Sequence, residues 1–339
     1  MKAVVLERRG KDGVNWRDFP DPIRAEGETI LRVVAGSLNR VDLYMRDNGA
    51  GIRHTLPQVM GVDAAGVIAE AEPGSGLKPG MKAALYTEAF CGKCRYCLAG
   101  DQPLCESVRI MGEHRHGGFA EYVAMPTRCV FPLPDDADLV AAGALTTGHL
   151  TAWRMLFGKK TLRPGESVLI AGIGGGVAVA CLQLAKLAGA RVFVTSSSDA
   201  KIARAVAMGA EGGVNYRRDR VSAAILDMSG GGVDMVIDSA GEASWGESLK
   251  SLRRGGRLVT CGATTGGNPP ADIQRVFIRQ LEIYGSTGGS VEEFRQLLGV
   301  FNRGQLKPAI DSTYPMPDIR AAFDHLESGA HFGKVSLVV

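Results

Sequence analysis

The sequence predicts an α/β protein, a doubly wound parallel sheet joined to a mostly-β domain, and three observations predict it. From about residue 135 onward, short apolar strands alternate with helix-length segments, the rhythm of a parallel sheet covered on both faces. Ahead of that point short strands and turn signals dominate, with little helix. The chain has 339 residues, 45% hydrophobic and 22% charged, enough for about two domains with buried cores.

In chain order, residues 4–7, 29–35, 67–71 and 82–87 have β-branched or alternating character, punctuated by Pro20, Pro22, Pro73-Gly74 and Pro79-Gly80. The second region reads as strands at 168–171, 191–195, 233–238, 257–261 and 281–284. Helices are expected at 178–187, 200–208 and 221–228, with Gly209 as a helix-ending glycine and Asp199 as an N-cap. A helix at 291–302, another after Pro317 and a strand at 334–339 close the chain. The 45 glycines follow no period and read as tight turns and close backbone approaches.

A formal charge of +3 is too small for an electrostatic grip on nucleic acid or an anionic membrane. Residues 167–185 form one uncharged run, but Gly172, Gly174, Gly175 and Gly176 interrupt it, so a strand–turn–helix unit explains it better than a membrane span. The opening apolar stretch is too short for a secretory signal, and a cytoplasmic location is expected.

Those glycines carry the first functional signal. Between a strand and a helix, Gly174, Gly175, Gly176 and Val177 would bring bare backbone and unpaired N–H groups to a phosphate, as in a dinucleotide-binding unit. An NAD-type site wants a carboxylate at the end of the second strand, about 20 residues further on. Here that end reads Thr195-Ser196-Ser197-Ser198, and Lys201 follows in a helix's first turn, where the macrodipole disfavours a cation. Ser196, Ser197 and Lys201 are therefore expected to hold the extra phosphate of NADP(H).

The second signal is sulfur. Four of the seven cysteines, Cys91, Cys94, Cys97 and Cys105, fall in one short loop, a spacing that suits a closed tetrahedral zinc site. Four thiolates leave no open position, so this zinc is expected to be structural. Cys129, Cys181 and Cys261 read as buried small hydrophobes.

Zinc lobe and dinucleotide unit together resemble the medium-chain dehydrogenase/reductase family. The likeness extends to Gly61-Val62-Asp63-Ala64-Ala65-Gly66, Gly118-Phe119-Ala120-Glu121-Tyr122, Leu150-Thr151-Ala152-Trp153 and Gly333-Lys334-Val335. The resemblance implies a GroES-like catalytic domain (residues 1–134, zinc lobe at about 88–110, and 290–339) and a Rossmann domain (135–289). It also marks departures. Where zinc alcohol dehydrogenases of the family hold a catalytic zinc, this chain has Asn39, Val62 and Thr147, leaving Asp63 as the one candidate ligand. Asn39 and Gly61-Val62-Asp63 instead resemble the quinone oxidoreductase and enoyl reductase branch.

That branch implies hydride transfer from NADPH to a conjugated carbonyl, an enoyl thioester or a quinone, with protein donors on the enolate oxygen. Asn39, Tyr44 and His149 are the candidate donors. Asp42 is expected as an N-cap, Arg46 as solvated and Asp63 as an orienter of its loop. By resemblance Thr147, Thr151 and Lys334 lie near the nicotinamide end and Tyr216 near the 2′-phosphate. A small-molecule substrate and a homodimer or homotetramer, paired at strand 281–284, complete the expectation. Two rivals stay open: a zinc alcohol dehydrogenase whose second site uses Asp63 with His149 or His54, and a non-catalytic NADPH-binding protein.

Overall fold

The computed structural model describes residues 1–51 and 54–339. The chain divides into two compact units, Met1–Leu150 with Gly289–Val339, and Thr151–Gly288.

The first unit is mostly β. It contains β1 (Lys2–Leu6), β2 (Val14–Asp18), β3 (Glu28–Ser37), α1 (Arg40–Asp47), β4 (Gln58–Val59), β5 (Ala65–Glu70), β6 (Lys82–Leu85) and β7 (Glu88–Ala89). There follow α2 (Arg95–Leu98), β8 (Arg109–Ile110), β9 (Tyr122–Pro126), β10 (Val130–Pro132) and α3 (Leu139–Gly143). Helix α4 (Gly148–Trp153) leads out of the unit. The main sheet has the order β10-β6-β5-β3, and β9 also pairs with β3. The unit runs on to Leu150 rather than ending at residue 134, because α3 packs on β3, β5 and β6 of its sheet.

The second unit alternates strand and helix: β11 (Ser167–Ile170), α5 (Gly176–Leu187), β12 (Arg191–Ser196), α6 (Asp199–Ala207), β13 (Gly212–Asn215), α7 (Val221–Ser229), β14 (Val233–Asp238), α8 (Glu242–Ser251), β15 (Leu252–Thr260), α9 (Ile273–Arg279) and β16 (Glu282–Gly285). All six strands are parallel, in the order β13-β12-β11-β14-β15-β16. The order reverses between β11 and β14, the switch point where such sheets bind ligands beyond their carboxyl ends. Leu169, Phe193, Val236 and Leu258 fill the sheet's core. The α/β reading with a Rossmann-type sheet is borne out. The uncharged run at 167–185 is β11 plus most of α5, and among the described residues no helix is long and apolar enough to cross a membrane.

The chain then returns to the first unit with α10 (Val291–Asn302), β17 (Ile310–Pro315), α11 (Ile319–Ser328) and β18 (Lys334–Val338). Strand β18 lies antiparallel to β3 with Ser336 opposite Ser37, and this register carries Lys334 past the end of β3.

Candidate active site

The lobe between β7 and β8 is gathered by sulfur. The Sγ atoms of Cys91, Cys94, Cys97 and Cys105 all lie within 4.8 Å of one another. Cys91 and Cys97 sulfurs are 3.9 Å apart; four sulfurs each about 2.3 Å from a tetrahedral zinc would stand roughly 3.8 Å apart. Backbone N–H groups of Lys93 and Cys94 donate to Cys91 Sγ (3.5 and 3.4 Å), and that of Cys91 to Cys105 Sγ (3.3 Å). The four residues fit a structural zinc.

A second convergence lies where β3 meets α1. Gly61, at φ 103°, has no room for a side chain: a Cβ there would come within 2.4 Å of the Phe119 ring. That close approach sets the path of the chain into Val62 and Asp63. The Asp63 carboxylate is fully buried. Its Oδ1 accepts the Thr146 hydroxyl at 2.6 Å and the Thr147 N–H at 2.8 Å. Its Oδ2 accepts the Ser37 hydroxyl at 2.6 Å, the Asn39 amide at 2.7 Å and the Lys334 ammonium at 3.2 Å. Burial pushes the carboxyl up, but the Lys334 charge and the donors from Ser37, Thr146 and Thr147 outweigh it and hold Asp63 below its ordinary value.

Lys334, 2% exposed, spends its other two protons on the Leu38 carbonyl (3.0 Å) and Asn39 Oδ1 (2.6 Å). The Asn39 amide donates to Asp63 and to the Ser37 carbonyl. An ammonium has three protons and an amide two, so neither Lys334 nor Asn39 has one left for cofactor or substrate. Both hold the Asp63 carboxylate. With both Asp63 oxygens occupied and Asn39, Val62 and Thr147 beside it, the residues do not fit a second zinc.

Other candidates fall as follows. Tyr44 is half-buried, and its hydroxyl has no hydrogen-bond partner among the described residues. Asp42 is not the N-cap: Asn39 takes that position, and Asp42, three residues on, accepts the Asn39 N–H at 2.8 Å. Burial drives the Asp42 carboxyl up to about 8 despite that bond. Arg46 is not solvated; it is 2% exposed, pairs with Asp47 and Glu327, and lies over the Phe323 ring. His149 is 1% exposed. The Thr147 hydroxyl lies 3.2 Å from both the Val62 carbonyl and the Thr87 hydroxyl. Sequence reasoning missed Ser37, a lone serine with no pattern around it.

In the second unit, Gly172 and Gly174 take positive φ (73° and 136°) and Gly175 caps α5, with open space where its Cβ would be. A Cβ on Gly174 would lie 2.9 Å from Lys201 Nζ, so the lysine overhangs the turn. Gly176 and Val177, both half-buried, open α5. Ser196 is buried at the end of β12, Ser197 is half-buried, and Tyr216, 52% exposed, bonds through its N–H to the Ser196 carbonyl. Ser198, not Asp199, caps α6; the Asp199 carboxylate is taken up by Arg218 (2.8 Å) and Asn215 (2.9 Å). Thr151 is buried at the unit's start. The glycine turn with α5 behind it is a cradle that fits a dinucleotide pyrophosphate.

Fold and lobe together define a zinc-binding dehydrogenase. Residues 25–135 match the family model for the alcohol dehydrogenase GroES-like domain, and 176–303 that for zinc-binding dehydrogenase. The chain belongs to the medium-chain dehydrogenase/reductase superfamily. It is 30% identical to an alcohol dehydrogenase of Geobacillus stearothermophilus, covering 100% of both chains. It is 29% identical to an acryloyl-coenzyme A reductase of Metallosphaera sedula, covering 99% of each. Its fold matches a crystal structure described as NAD-dependent alcohol dehydrogenase with a TM-score of 0.95 and 37% identity, over 100% of both chains.

Proposed function

We propose that this enzyme transfers hydride from NADPH to an α,β-unsaturated carbonyl compound, an enoyl thioester or a quinone, with no catalytic metal. The saturated Asp63 carboxylate is the observation that carries the reading. Alkoxide formation in alcohol oxidation leans on a Lewis acid worth several kcal/mol. Reduction of a conjugated double bond leaves an enolate, whose oxygen a few fixed hydrogen-bond donors can stabilise. The likeness to an acryloyl-coenzyme A reductase supports the same direction.

When bound, the reduced nicotinamide supplies the hydride. The chain's own part is to hold, orient and protonate. Tyr44, whose hydroxyl proton is uncommitted, is assigned to the enolate oxygen. Asn39 and Lys334 keep the start of α1 in place through Asp63. Thr147 and Thr151 are assigned to the nicotinamide end. Gly174, Gly175, Gly176 and Val177 are assigned to the pyrophosphate, and Ser196, Ser197, Lys201 and Tyr216 to the 2′-phosphate. The engagement of Asp199 by Arg218 supports NADPH over NADH, because it leaves no free carboxylate there for the ribose hydroxyls.

A homodimer or homotetramer belongs to this reading. Helix α9 buries none of its residues, Ile273, Phe277 and Ile278 are exposed on it, and β16 is an edge strand. Cysteines that form no disulfide among the described residues fit a reducing, cytoplasmic setting.

The test is NADPH oxidation against crotonyl-CoA, acrylyl-CoA, methyl vinyl ketone and a soluble quinone, beside a metal count. Turnover of one of these with a single zinc per chain is the expected result. The likeness to alcohol dehydrogenases favours a second reading, carbinol oxidation. Two zincs per chain and NAD-dependent alcohol turnover would establish it instead.

A further inference from the structure

Residues 19–23, 54–58 and 113–116 of the first unit wall a groove of about 980 Å³, lined by none of the Asp63 cluster. Phe19, Leu56, Tyr122 and Val123 give it an apolar side, and the Phe19 and His116 rings meet edge-on at 4.9 Å. Its volume lies within the range of small-molecule sites.

Two buried polar groups on its lining face each other across a gap. The His54 side chain is 1% exposed, and its Nε2 has no hydrogen-bond partner among the described residues. The nearest carboxylate oxygen, Glu113 Oε2, is 3.9 Å away, too far for a direct hydrogen bond. Glu113 is itself 6% exposed, and its carboxylate has no hydrogen bond among the described residues. Buried polar groups are nearly always satisfied, so His54 Nε2 calls for an explanation.

The ring's chemistry narrows the answer. Arg9 Nη2 lies 2.8 Å from His54 Nδ1, and a guanidinium only donates, so Nδ1 accepts. Burial, then the charges of Arg9 and His114, lower the His54 pKa and favour the neutral ring, whose proton therefore sits on Nε2. Burial raises Glu113. A protonated Nε2 excludes a metal ion. What fits is one oxygen about 2.8 Å from each group, accepting from His54 and donating to Glu113.

We infer that the groove is a second ligand site, taking a small alcohol or phenol with its hydroxyl between His54 and Glu113 and its apolar body along Phe19, Leu56 and Tyr122. It does not depend on the proposed reaction, and its test uses no cofactor.

The test titrates the full-length, zinc-loaded protein with benzyl alcohol and with toluene, followed by saturation-transfer NMR, and soaks wild-type crystals with benzyl alcohol. Benzyl alcohol should bind about tenfold more tightly than toluene, one hydrogen-bonded hydroxyl's worth. The soak should show its oxygen between His54 and Glu113. His54→Phe and Glu113→Leu should each erase the preference while zinc content and the urea unfolding midpoint change little, and Glu113→Gln, which keeps an acceptor, should retain most of it. Equal binding of the two probes, a preference that survives both apolar substitutions, or a soaked crystal with only water in the gap would overturn the inference. Should the substituted proteins fail to fold, the wild-type titration and soak still decide.

Discussion

The cysteine lobe and the Asp63 cluster are both places where the first unit is tied together, and they do it with opposite chemistry. The lobe brings four like-charged ligands from residues 91–105 into one sphere, an arrangement that needs a dication to be stable. The cluster brings five donors from residues 37 to 334 around one carboxylate, and its buried interior pairs the Lys334 ammonium with the Asp63 carboxylate. The first depends on an external ion and the second is complete in itself. In the reading proposed above, the chain therefore keeps the donor set for one metal and lacks that for another.

The sharpest way to break that comparison is to remove a sulfur. Structural zinc contributes about 10–16 kcal/mol to the folding of small zinc domains. Cys94→Ser should reduce zinc from one per chain to almost none and open residues 91–105 to proteolysis, the largest effect of any substitution considered. Full zinc content in Cys94→Ser would mean that the four sulfurs are not the ligands.

The cluster should respond next most strongly, and in a different currency. Lys334→Met strands a fully buried carboxylate, which costs about 3–5 kcal/mol. Metal content should not change. Adding Asp63→Asn removes the stranded charge and should restore part of the loss, a coupling that a double-mutant cycle in urea measures. Strictly additive costs would show that the two residues do not act as a pair.

The same contrast explains what could be read in advance. Cys91 to Cys105 and the glycine turn at 172–176 are sequence-local, so their spacing announces their geometry. The cluster is made by topology: Lys334 reaches Asp63 because β18 lies beside β3, and no spacing spells out a contact across 271 residues. Arg46 misleads for the same reason, since the Glu327 and Phe323 that cover it come from α11. Asp63, Asn39 and Lys334 each stood out in the sequence as candidates, but the bonds that join them were invisible there. Asp199 looked like a cap until the folded chain supplied Arg218.

Asp42 offers a smaller test, through pH. Its carboxyl is pushed up to about 8 in the fold, against about 3.9 in an unfolded chain. The folded state thus favours the proton. Its contribution is fully present below pH ~4 and is lost as pH rises toward 8. Asp42→Asn keeps an acceptor for the Asn39 N–H and removes the titration, so stability should decline less between pH ~4 and 8 than in the wild type. Parallel pH profiles for the two proteins would show that Asp42 is not buried as described.

The smallest effect separates one donor from the cluster without touching its charges. Ser37→Ala removes the hydroxyl that donates to Asp63 Oδ2 at 2.6 Å and leaves the Lys334 pair in place. A hydrogen bond to a charged group is worth about 1.5–3 kcal/mol, so the cost should fall below that of Lys334→Met. Its pH signature should also differ. Asp63 is held below its ordinary pKa in the fold, so its stabilisation exists above the unfolded value and disappears as pH falls through the folded one. Losing one donor moves the folded pKa up toward the unfolded value. Acid unfolding of Ser37→Ala should therefore begin at a higher pH than in the wild type, while the alkaline limb stays where it was. A loss of stability equal at every pH would assign Ser37 to packing alone and leave Asp63 with one fewer functional donor than its geometry suggests.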